Sequence, residues 1–481
     1  MAELVKRFKR PELFFLSCAA LFGFLMVVLT PPMQTYDEQD HFFRAYQLST
    51  FNLRPDIVSE GPGISPSQAP GGNLPVNVAK MGYGYLYSVR LDVNHTSHYK
   101  LGVLKNNFKN LAWLKVDNNQ KQAAYFPGAG AYSPISYLPQ IVAIWLGRLA
   151  HTPILWFFYL GRIFNLAAWI ALVYFAIKLL PVGRWLMVAI ALLPVSLFQA
   201  ATFSADAMTN GLTFLVVALF CYLLAQKEVS RKDLIITLAA TGALSLCKSG
   251  FWPLALLFWL IPIRNFGSSK KYLLSNLSIT GLSLALFGLW YSLVKFVIPY
   301  MAAVQRAGET INYQQQVKYI EGHPFSFVVV LWHEYFNSTM IGVLKYGVGI
   351  LGWGEASIGL AGFLLIILVL VLGILMAVTE KNNSNLKWPQ RLGSLIIAAG
   401  LVLMMSISLY AAFTPLHSRS IDGLQGRYFI PYIALLVPVF GGVLYKWRSK
   451  LAAVNRYTLV MPTAILILMC LSVAAIVGRY Y

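Results

Sequence analysis

Acidic residues are scarce in this chain of 481 residues, which holds 18 Asp and Glu against 38 Lys and Arg and is only 12% charged. Soluble globular proteins carry about a quarter of their residues as charged side chains. Hydrophobic residues make up 58% of this chain. The composition therefore excludes an ordinary soluble enzyme and favours a polytopic membrane protein.

Cysteines and nucleotide-binding motifs are also few. The four cysteines, Cys18, Cys221, Cys247 and Cys470, fall in or beside apolar segments and form no C-x-x-C pair or Cys/His cluster. This placement is typical of small core residues rather than of disulfide partners or metal ligands. The chain also lacks a glycine-rich nucleotide loop, which disfavours nucleotide-driven chemistry. We predict no cofactor and no metal site, and leave a divalent metal open.

The excess of positive charge has a topological explanation. The formal net charge is +20, but most basic residues lie in short links between apolar runs, as the positive-inside rule requires. No polybasic tail or groove sequence appears, so we predict no nucleic-acid partner.

Apolar runs recur along the chain at lengths that suit a bilayer crossing, and we expect about eleven spans with the N-terminus in the cytoplasm. The first resembles a signal peptide but lacks a small-x-small cleavage site, which favours an uncleaved anchor. The runs lie near 13–30, 154–178, 185–203, 209–226, 233–248, 251–264, 273–298, 356–379, 390–412, 428–446 and 457–478. With this orientation the inner links contain Lys6, Arg7, Lys9, Arg10, Lys178, Arg184, Lys227, Arg231, Lys232, Arg264, Lys270, Lys271, Lys381, Lys387, Arg391, Lys446, Arg448, Lys450 and Arg456.

The first outer loop is the longest connection and covers residues 31–153. Long loops are usually functional, and we expect a small lid with juxtamembrane helices rather than an independent domain. Residues 136–150 are too short and Pro-interrupted for a span, so we predict an interfacial helix on the outer face. Residues 326–352 are predicted to be juxtamembrane or re-entrant. We expect residues 1–298 to form a catalytic module, 299–355 an outer segment and 356–481 a region of four spans.

Three acids, a His and an Arg are concentrated where the chain leaves the first span, in Pro31-Pro32-Met-Gln-Thr-Tyr-Asp37-Glu38-Gln-Asp-His41-Phe-Phe-Arg44. Thr35-x-x-Glu38 fits a capping box with a helix starting at Tyr36, and a capped amphipathic helix is one interpretation of the run. The other is catalytic, because ionisable groups beside hydrocarbon are costly and tend to be functional. In that interpretation Asp37 accepts a proton from a hydroxyl, with Glu38 or His41 supporting it.

Asp206 and three basic residues share the outer side with this run. Asp206 follows Ser204 at an outer turn, where it could cap the next helix or serve the site. Lys248, Arg419 and Arg427 are on the wrong side for the orientation rule. Snorkelling to the interface is the simple explanation for each, but together they suggest a shared phosphate.

Further residues complete the predicted site. We assign Arg44, Gln425 and Tyr428 to the donor phosphate together with the three cations. For positioning of acceptor or donor we assign Asp206, Tyr132, Arg162 and Trp353. An interfacial aromatic belt would explain Tyr132 equally well.

These motifs resemble two known groups of membrane proteins. Asp37-Glu38-Gln-Asp-His41-Phe42 is similar to the Asp-Glu-x-x-His-Phe pattern that opens the first outer loop of GT-C glycosyltransferases. Tyr132-Ser-Pro134, Gly161-Arg162 and Pro194 through Asp206 follow the order of that superfamily. Pro31-Pro32, Ser204-x-Asp206 and Gln425-Gly426-Arg427-Tyr428-Phe429 resemble more closely the bacterial predicted-membrane-protein family catalogued as domain of unknown function 2142.

The resemblance implies an all-α, GT-C-like bundle, a polyprenyl-phosphate sugar donor and Asp37 as the catalytic acid of the superfamily. Some GT-C enzymes carry paired acids at the second outer loop, whereas only Asp206 stands here, which predicts a metal-independent reaction. We therefore expect an inverting glycosyltransferase of the bacterial inner membrane that acts at the outer face. Its acceptor would be a cell-envelope glycan such as lipopolysaccharide O-antigen or teichoic acid.

Two other classes remain open. A transporter or flippase for lipid-linked sugars would need polar groups deep in several spans and preferably inverted repeats. The spans here are mostly apolar apart from Arg162 and Asn165. A purely structural membrane scaffold would leave the outer acids unexplained.

Overall fold

The protein is described from a computed structural model over residues 10–59, 68–90, 109–301, 311–337, 339–383, 385–445 and 460–481. Helices dominate these ranges, in agreement with a polytopic helical membrane protein. Some basic residues of the predicted inner links lie outside the described residues: Lys6, Arg7, Lys9, Lys446, Arg448, Lys450 and Arg456.

The α-helices follow one another along the chain with short connections in most places. They are α1 (Pro11–Leu29), α2 (Glu38–Ser49), α3 (Val76–Arg90), α4 (Leu138–Leu149), α5 (Ile154–Leu179), α6 (Arg184–Ala191), α7 (Pro194–Ala200), α8 (Asp206–Ala225), α9 (Arg231–Cys247), α10 (Ser269–Val294), α11 (Tyr313–Gly322), α12 (Pro324–Tyr335), α13 (Thr339–Val348), α14 (Gly359–Thr379), α15 (Trp388–Phe413), α16 (Ile430–Ile433), α17 (Leu436–Phe440) and α18 (Val460–Tyr480). Tight 3₁₀ turns occupy Pro134–Tyr137, Ser249–Leu260, Ile263–Phe266, Lys295–Tyr300 and Gly426–Phe429.

Seven helices in the described ranges are long and apolar enough to cross a membrane, where the sequence predicted about eleven spans. They are α1, α5, α8, α10 with its 3₁₀ extension, α14, α15 and α18. The bent pair α12 and α13, with 61° between its halves, raises the number to eight if it counts as one broken span. This bend lies in the segment predicted to be juxtamembrane or re-entrant.

The other four apolar runs are short or broken, mostly for local reasons. Run 185–203 is divided into α6 and α7, and Pro194 begins the second piece. Proline fixes φ and lacks an N–H, so it suits the first turn of a new helix and disfavours a continuous one. Run 428–446 is broken in the same way around α16 and α17, with Pro431 and Pro438. Run 251–264 winds as 3₁₀ turns over Pro253, and α9 in run 233–248 has 17 residues.

The outer loop contains strands as well as helices, so the expectation of an all-α fold was wrong there. Strand β2 (Ala69–Pro75) lies between β1 (Asp56–Val58) and β3 (Lys121–Tyr125), and both pairings are antiparallel. The β2 sequence, Ala-Pro-Gly-Gly-Asn-Leu-Pro, has no apolar alternation to reveal it. Its glycine is required by close packing, because a Cβ on Gly71 would lie 2.5 Å from the Ala124 carbonyl oxygen. A two-stranded hairpin, β4 (Ile350–Leu351) and β5 (Ala356–Ser357), follows α13.

A second apolar core joins this loop to the membrane bundle. The ring of Phe42 on α2 lies 5.4 Å from that of Phe203, edge to face, and 5.3 Å from that of Phe158 on α5. Segment 136–150, predicted as an interfacial helix, is helical and packs along the first part of α5. The loop is therefore fixed to the bundle at the start of α2, which is where the acidic run lies.

Candidate active site

Asp37 lies in the connection between α1 and α2, immediately before α2 begins. Helix α1 ends before Pro31, and α2 begins at Glu38 with Asp37 as its N-cap residue in a left-handed conformation (φ 60°). Aspartate is among the few residues that adopt this conformation readily. No side-chain hydrogen bond caps the helix, so the predicted Thr35-x-x-Glu38 capping box was wrong. The side chains of Asp37 and Glu38 are bound elsewhere.

Glu38 forms a buried ion pair with Arg162 of α5. The guanidinium donates from Nε to Oε1 at 2.8 Å and from Nη2 to Oε2 at 2.7 Å, and neither side chain is exposed. The backbone N–H of Phe203 also donates to Oε1 at 2.8 Å. Arg162 further donates to the carbonyls of Thr30 and Pro31. Both carboxylate oxygens are thus occupied, so the expected direct catalytic role of Glu38 and substrate role of Arg162 give way to a structural one.

Four charged side chains meet above this pair, as the sequence hypothesis required. Arg427 donates from Nη2 to Oδ2 of Asp37 at 2.7 Å, and its Nε lies 3.8 Å from Oδ2 of Asp206. Lys248 Nζ lies 3.6 Å from Oδ1 of Asp206. Residues 37, 206, 248 and 427 come from four separate segments, and their charges sum to zero. We call these four residues the charge cluster.

Asp206 belongs to the cluster and does not cap α8 through its side chain. Its Oδ2 accepts a hydrogen bond from Gln199 Nε2 at 2.7 Å, and its backbone N–H donates to Ser204 Oγ at 3.0 Å. The cap observed for this helix has no side-chain hydrogen bond. Of the two interpretations of Asp206, the structure therefore favours the site.

His41 lies in a buried aromatic pocket behind the cluster. Its Nδ1 shares a hydrogen bond of 2.6 Å with the Tyr137 hydroxyl, and its ring meets that of Tyr132 edge to face at 5.6 Å. Burial lowers the pKa of His41 to about 4, against the opposing effect of Asp37 and Asp206. The imidazole is accordingly neutral near pH 7 and shapes the pocket around Asp37 without adding charge.

Two of the predicted phosphate-binding cations lie elsewhere. Arg44 is fully buried and donates to the carbonyls of Leu53 at 2.8 Å and Tyr132 at 3.3 Å, and it also contacts Gln47. It therefore holds the outer loop together and lies outside the charge cluster, and its contact with a donor stays a prediction. Arg419 is exposed in the last outer loop. No ion pair of Arg419 occurs within the described ranges, so the structure does not add it to the charge cluster.

Aromatic rings frame the cations. Lys248 Nζ lies 4.5 Å from the centroid of the Tyr428 ring and 6.0 Å from that of Tyr132. The Arg427 guanidinium carbon lies 5.4 Å from the Tyr36 ring. The Trp353 ring meets Tyr36 at 5.3 Å, and its indole N–H donates to the Met33 carbonyl at 3.0 Å. Cation–π contacts of this kind stabilise charge at a partly dry site.

A cavity of about 450 Å³ adjoins the charge cluster on the side of Arg427. Its lining is mostly apolar with a few polar side chains, which suits a ligand with an anionic head and a hydrocarbon tail. The polar side chains include those of Thr35, Tyr36, Gln199, Gln425 and Arg427. The apolar side chains include those of Val195 and Phe198 of α7, Val343 of α13, Ile350 and Leu351.

Two polar atoms at this cavity are buried without a hydrogen-bond partner in the described part of the chain. They are Nε of Arg427 and Oε1 of Gln425. Unsatisfied buried polar atoms are rare and call for a ligand or a water. Gln425 lines the cavity beside Arg427, and its contact with a donor stays a prediction.

Sequence reasoning missed Gln199 and Tyr36. Gln199 is the one amide residue of run 185–203, which the sequence predicts as a span, and Pro194 in the same run indicates that the helix breaks. Tyr36 was assigned only as the start of a helix.

Among the described residues, no group of three or more His, Cys, Asp or Glu side chains could hold a metal ion.

Comparison with known proteins gives one finding on family. The model of the family described as "Predicted membrane protein (DUF2142)" matches residues 20–437, which include the whole charge cluster. No curated protein matched the chain. No solved structure matched it either.

Proposed function

The chain belongs to the DUF2142 family of predicted membrane proteins, and from this premise we propose that it is an integral-membrane glycosyltransferase using a polyprenyl-phosphate sugar donor. The acceptor would be a glycan of the cell envelope, such as lipopolysaccharide O-antigen or teichoic acid. We propose a GT-C-like architecture in the bacterial inner membrane, with the N-terminus inside and the site at the outer face. The Asp37-Glu38-Gln-Asp-His41-Phe42 motif supports this architecture.

The observation that carries the proposal is the place of Arg427, which joins Asp37 to Asp206 and lines a mostly apolar cavity. A guanidinium and an ammonium, from Arg427 and Lys248, suit a phosphate head group. The apolar side chains of the cavity suit the isoprenoid tail next to that phosphate. A carboxylate within reach of the same cations supplies a base for an acceptor hydroxyl.

The proposed reaction is a single displacement at the anomeric carbon. The acceptor oxygen bonds to that carbon while its proton passes to the Asp37 carboxylate. The bond from the carbon to the phosphate oxygen breaks, and the phosphate leaves with the bonding electrons. Arg427 and Lys248 stabilise the charge that develops on the phosphate. One displacement inverts the configuration at the sugar.

The remaining site residues act through these groups. Asp206 orients Lys248 and Arg427, and Glu38 with Arg162 fixes the backbone from which Asp37 projects. Tyr132 and Tyr428, whose rings face Lys248, are placed to stack on a sugar. We assign no cofactor to these steps.

The test is transfer by purified protein in lipid nanodiscs supplied with candidate polyprenyl-phosphate sugars. We expect release of free polyprenyl phosphate by the wild type and a loss of at least about 100-fold in Asp37→Asn, as for removal of a general base. Asp40→Asn is the matched control, since it removes the same charge three residues away and its carboxylate instead accepts from the Gly128 N–H at 3.0 Å. Turnover of Asp37→Asn within a few-fold of the wild type would refute Asp37 as the base.

A flippase for lipid-linked sugars is the second candidate, and the broken apolar runs favour it. Runs 185–203 and 428–446 are interrupted by prolines beside the charge cluster, and interrupted helices line substrate paths in many transporters. The same nanodisc preparation, reconstituted into vesicles, separates the two. Movement of the lipid-linked sugar between leaflets with no bond cleavage would replace the transferase with the transporter.

A further inference from the structure

The charge cluster has two carboxylates around one guanidinium, and they are held unequally. Asp206 has a side chain that is 8% exposed, with Gln199 Nε2 bound at 2.7 Å and Lys248 Nζ at 3.6 Å. Asp37 has a side chain that is 34% exposed, and its carboxylate accepts a hydrogen bond from Arg427 at 2.7 Å. Asp37 is therefore the carboxylate that can leave.

The guanidinium, in contrast, stays where it is. Its side chain is 8% exposed, it lines the cavity, and its Nη1 is 3.4 Å from the Tyr36 carbonyl oxygen. Its Nε has no hydrogen-bond partner in the described ranges, although Asp206 Oδ2 lies 3.8 Å away. The guanidinium is thus incompletely hydrogen-bonded, and the oxygens of an anion that replaced the Asp37 carboxylate would accept hydrogen bonds from it.

The Asp37 oxygen that accepts the Arg427 hydrogen bond is not available to an acceptor hydroxyl. The same carboxylate is bound to an Arg427 N–H group that a phosphate would use. While Asp37 and Arg427 are paired, Asp37 is not free to act as the base and Arg427 is not free to bind phosphate. Binding of the first substrate has to resolve this conflict.

We propose that the phosphate of the lipid donor displaces the Asp37 carboxylate from Arg427, so that donor binding itself releases the base. This inference rests on the proposed function and adds an order to it, with the donor bound before the acceptor hydroxyl is activated. In this exchange the phosphate binds the Arg427 guanidinium while Lys248 stays beside Asp206. The Asp37 carboxylate is then available to accept the proton of the acceptor hydroxyl. The left-handed backbone at residue 37 lies outside the helix, so the side chain moves without unwinding α2.

The test is binding without catalysis, using farnesyl phosphate as the probe and farnesol as the phosphate-free comparison. Competition predicts that Asp37→Asn binds farnesyl phosphate about tenfold more tightly than the wild type, because the guanidinium no longer has to be vacated. Asparagine also tolerates the left-handed conformation, which favours correct folding. Asp40→Asn reports the general effect of removing a nearby negative charge and should stay within twofold of the wild type.

A double variant tests whether the gain in affinity for farnesyl phosphate depends on the Arg427 guanidinium. In an Arg427→Gln background, Asp37→Asn should give no further gain in affinity, whereas a plain charge effect would persist. Equal affinity of the wild type and Asp37→Asn, or an equal gain in Asp40→Asn, would overturn the displacement and leave the proposed function standing. Failure of both the wild type and Asp37→Asn to prefer farnesyl phosphate over farnesol would overturn the proposed function together with it.

Discussion

His41 is a buried histidine four residues after the proposed base. Its imidazole is held by the Tyr137 hydroxyl at 2.6 Å inside the second apolar core, and burial lowers its pKa to about 4. The unfolded chain has a His pKa near 6.5. Between these two values the unfolded state binds a proton that the folded state does not.

This difference predicts the direction of a pH effect on stability. The folded state keeps its full stability above pH 6.5 and loses it as the pH falls toward 4, by about 2 kcal/mol between pH 6.5 and pH 5. We expect His41→Gln to lose this dependence, measured as the free energy of unfolding in detergent across that range. His323→Gln removes an exposed imidazole and serves as the control. An identical pH dependence in His41→Gln and the wild type would contradict the assignment.

Glu38 and Arg162 make a second residue-scale prediction. Arg162→Met leaves the Glu38 carboxylate buried without its counter-ion, and loss of one partner of such a pair costs about 3–5 kcal/mol. Adding Glu38→Gln removes the orphaned charge and keeps an acceptor for the Phe203 N–H. We expect the double variant to melt at a higher temperature than Arg162→Met and to have little transfer activity. A double variant no more stable than Arg162→Met would argue against a paired role.

The sequence was a better guide to which residues are candidates for the site than to the contacts that each of them makes. Scarce acids beside an apolar run identified Asp37, and basic residues on the unexpected side identified Arg427 and Lys248. Spacing alone did not separate Asp37 from Glu38 or Arg427 from Arg44, because each pair has the same chemistry. Burial separates Asp37 from Glu38, whereas Arg427 and Arg44 are both buried and differ in their partners. These contacts are made with segments that are far away in sequence.

At the scale of elements, α13 and the turn Gly426–Phe429 pack with almost no space between their backbones. A Cβ on Gly347 would lie 2.4 Å from the Gly426 carbonyl carbon, and one on Gly426 would lie 2.0 Å from the Val343 carbonyl oxygen. Helix α13 thus fixes the residue that precedes Arg427. It also supplies Val343 to the cavity wall.

This contact predicts a sensitive glycine outside the charge cluster. Gly347→Ala should push α13 away from Gly426 and move Arg427, with a loss of at least about tenfold in farnesyl phosphate affinity. Gly400→Ala in α15 is the control, since a Cβ there meets nothing within 4 Å, and it should leave affinity unchanged. Wild-type affinity in Gly347→Ala would show that the close approach does not position Arg427.

Element types were predictable where periodicity and length agree, and less so elsewhere. The apolar runs that became α1, α5, α14 and α15 are long and free of internal proline after their first turn. Pro194, Pro253 and Pro431 indicate in the sequence that their runs are interrupted, although those runs were predicted to be spans. Strand β2 gave none, since it forms by pairing with segments before and after it in the loop rather than from its own residue pattern.

For the whole molecule, the orientation is the prediction that remains to be measured. In a variant whose four cysteines are replaced by alanine, we expect Asn118→Cys, exposed in the outer loop, to react with a membrane-impermeant maleimide in intact cells. Glu228→Cys, exposed in the link between α8 and α9, should react only after lysis. The positive-inside rule gives this expectation. Labelling of residue 228 in intact cells would invert the proposed topology.

The pair of Asp37 with Arg427 joins positions 390 residues apart. During synthesis the acidic half of the cluster is made first, and its cationic partner leaves the ribosome only after nearly all of the spans have been inserted. An unfinished chain therefore holds Asp37 without the guanidinium that binds it. A chain that stopped before residue 427 would reach the membrane with its charge cluster incomplete.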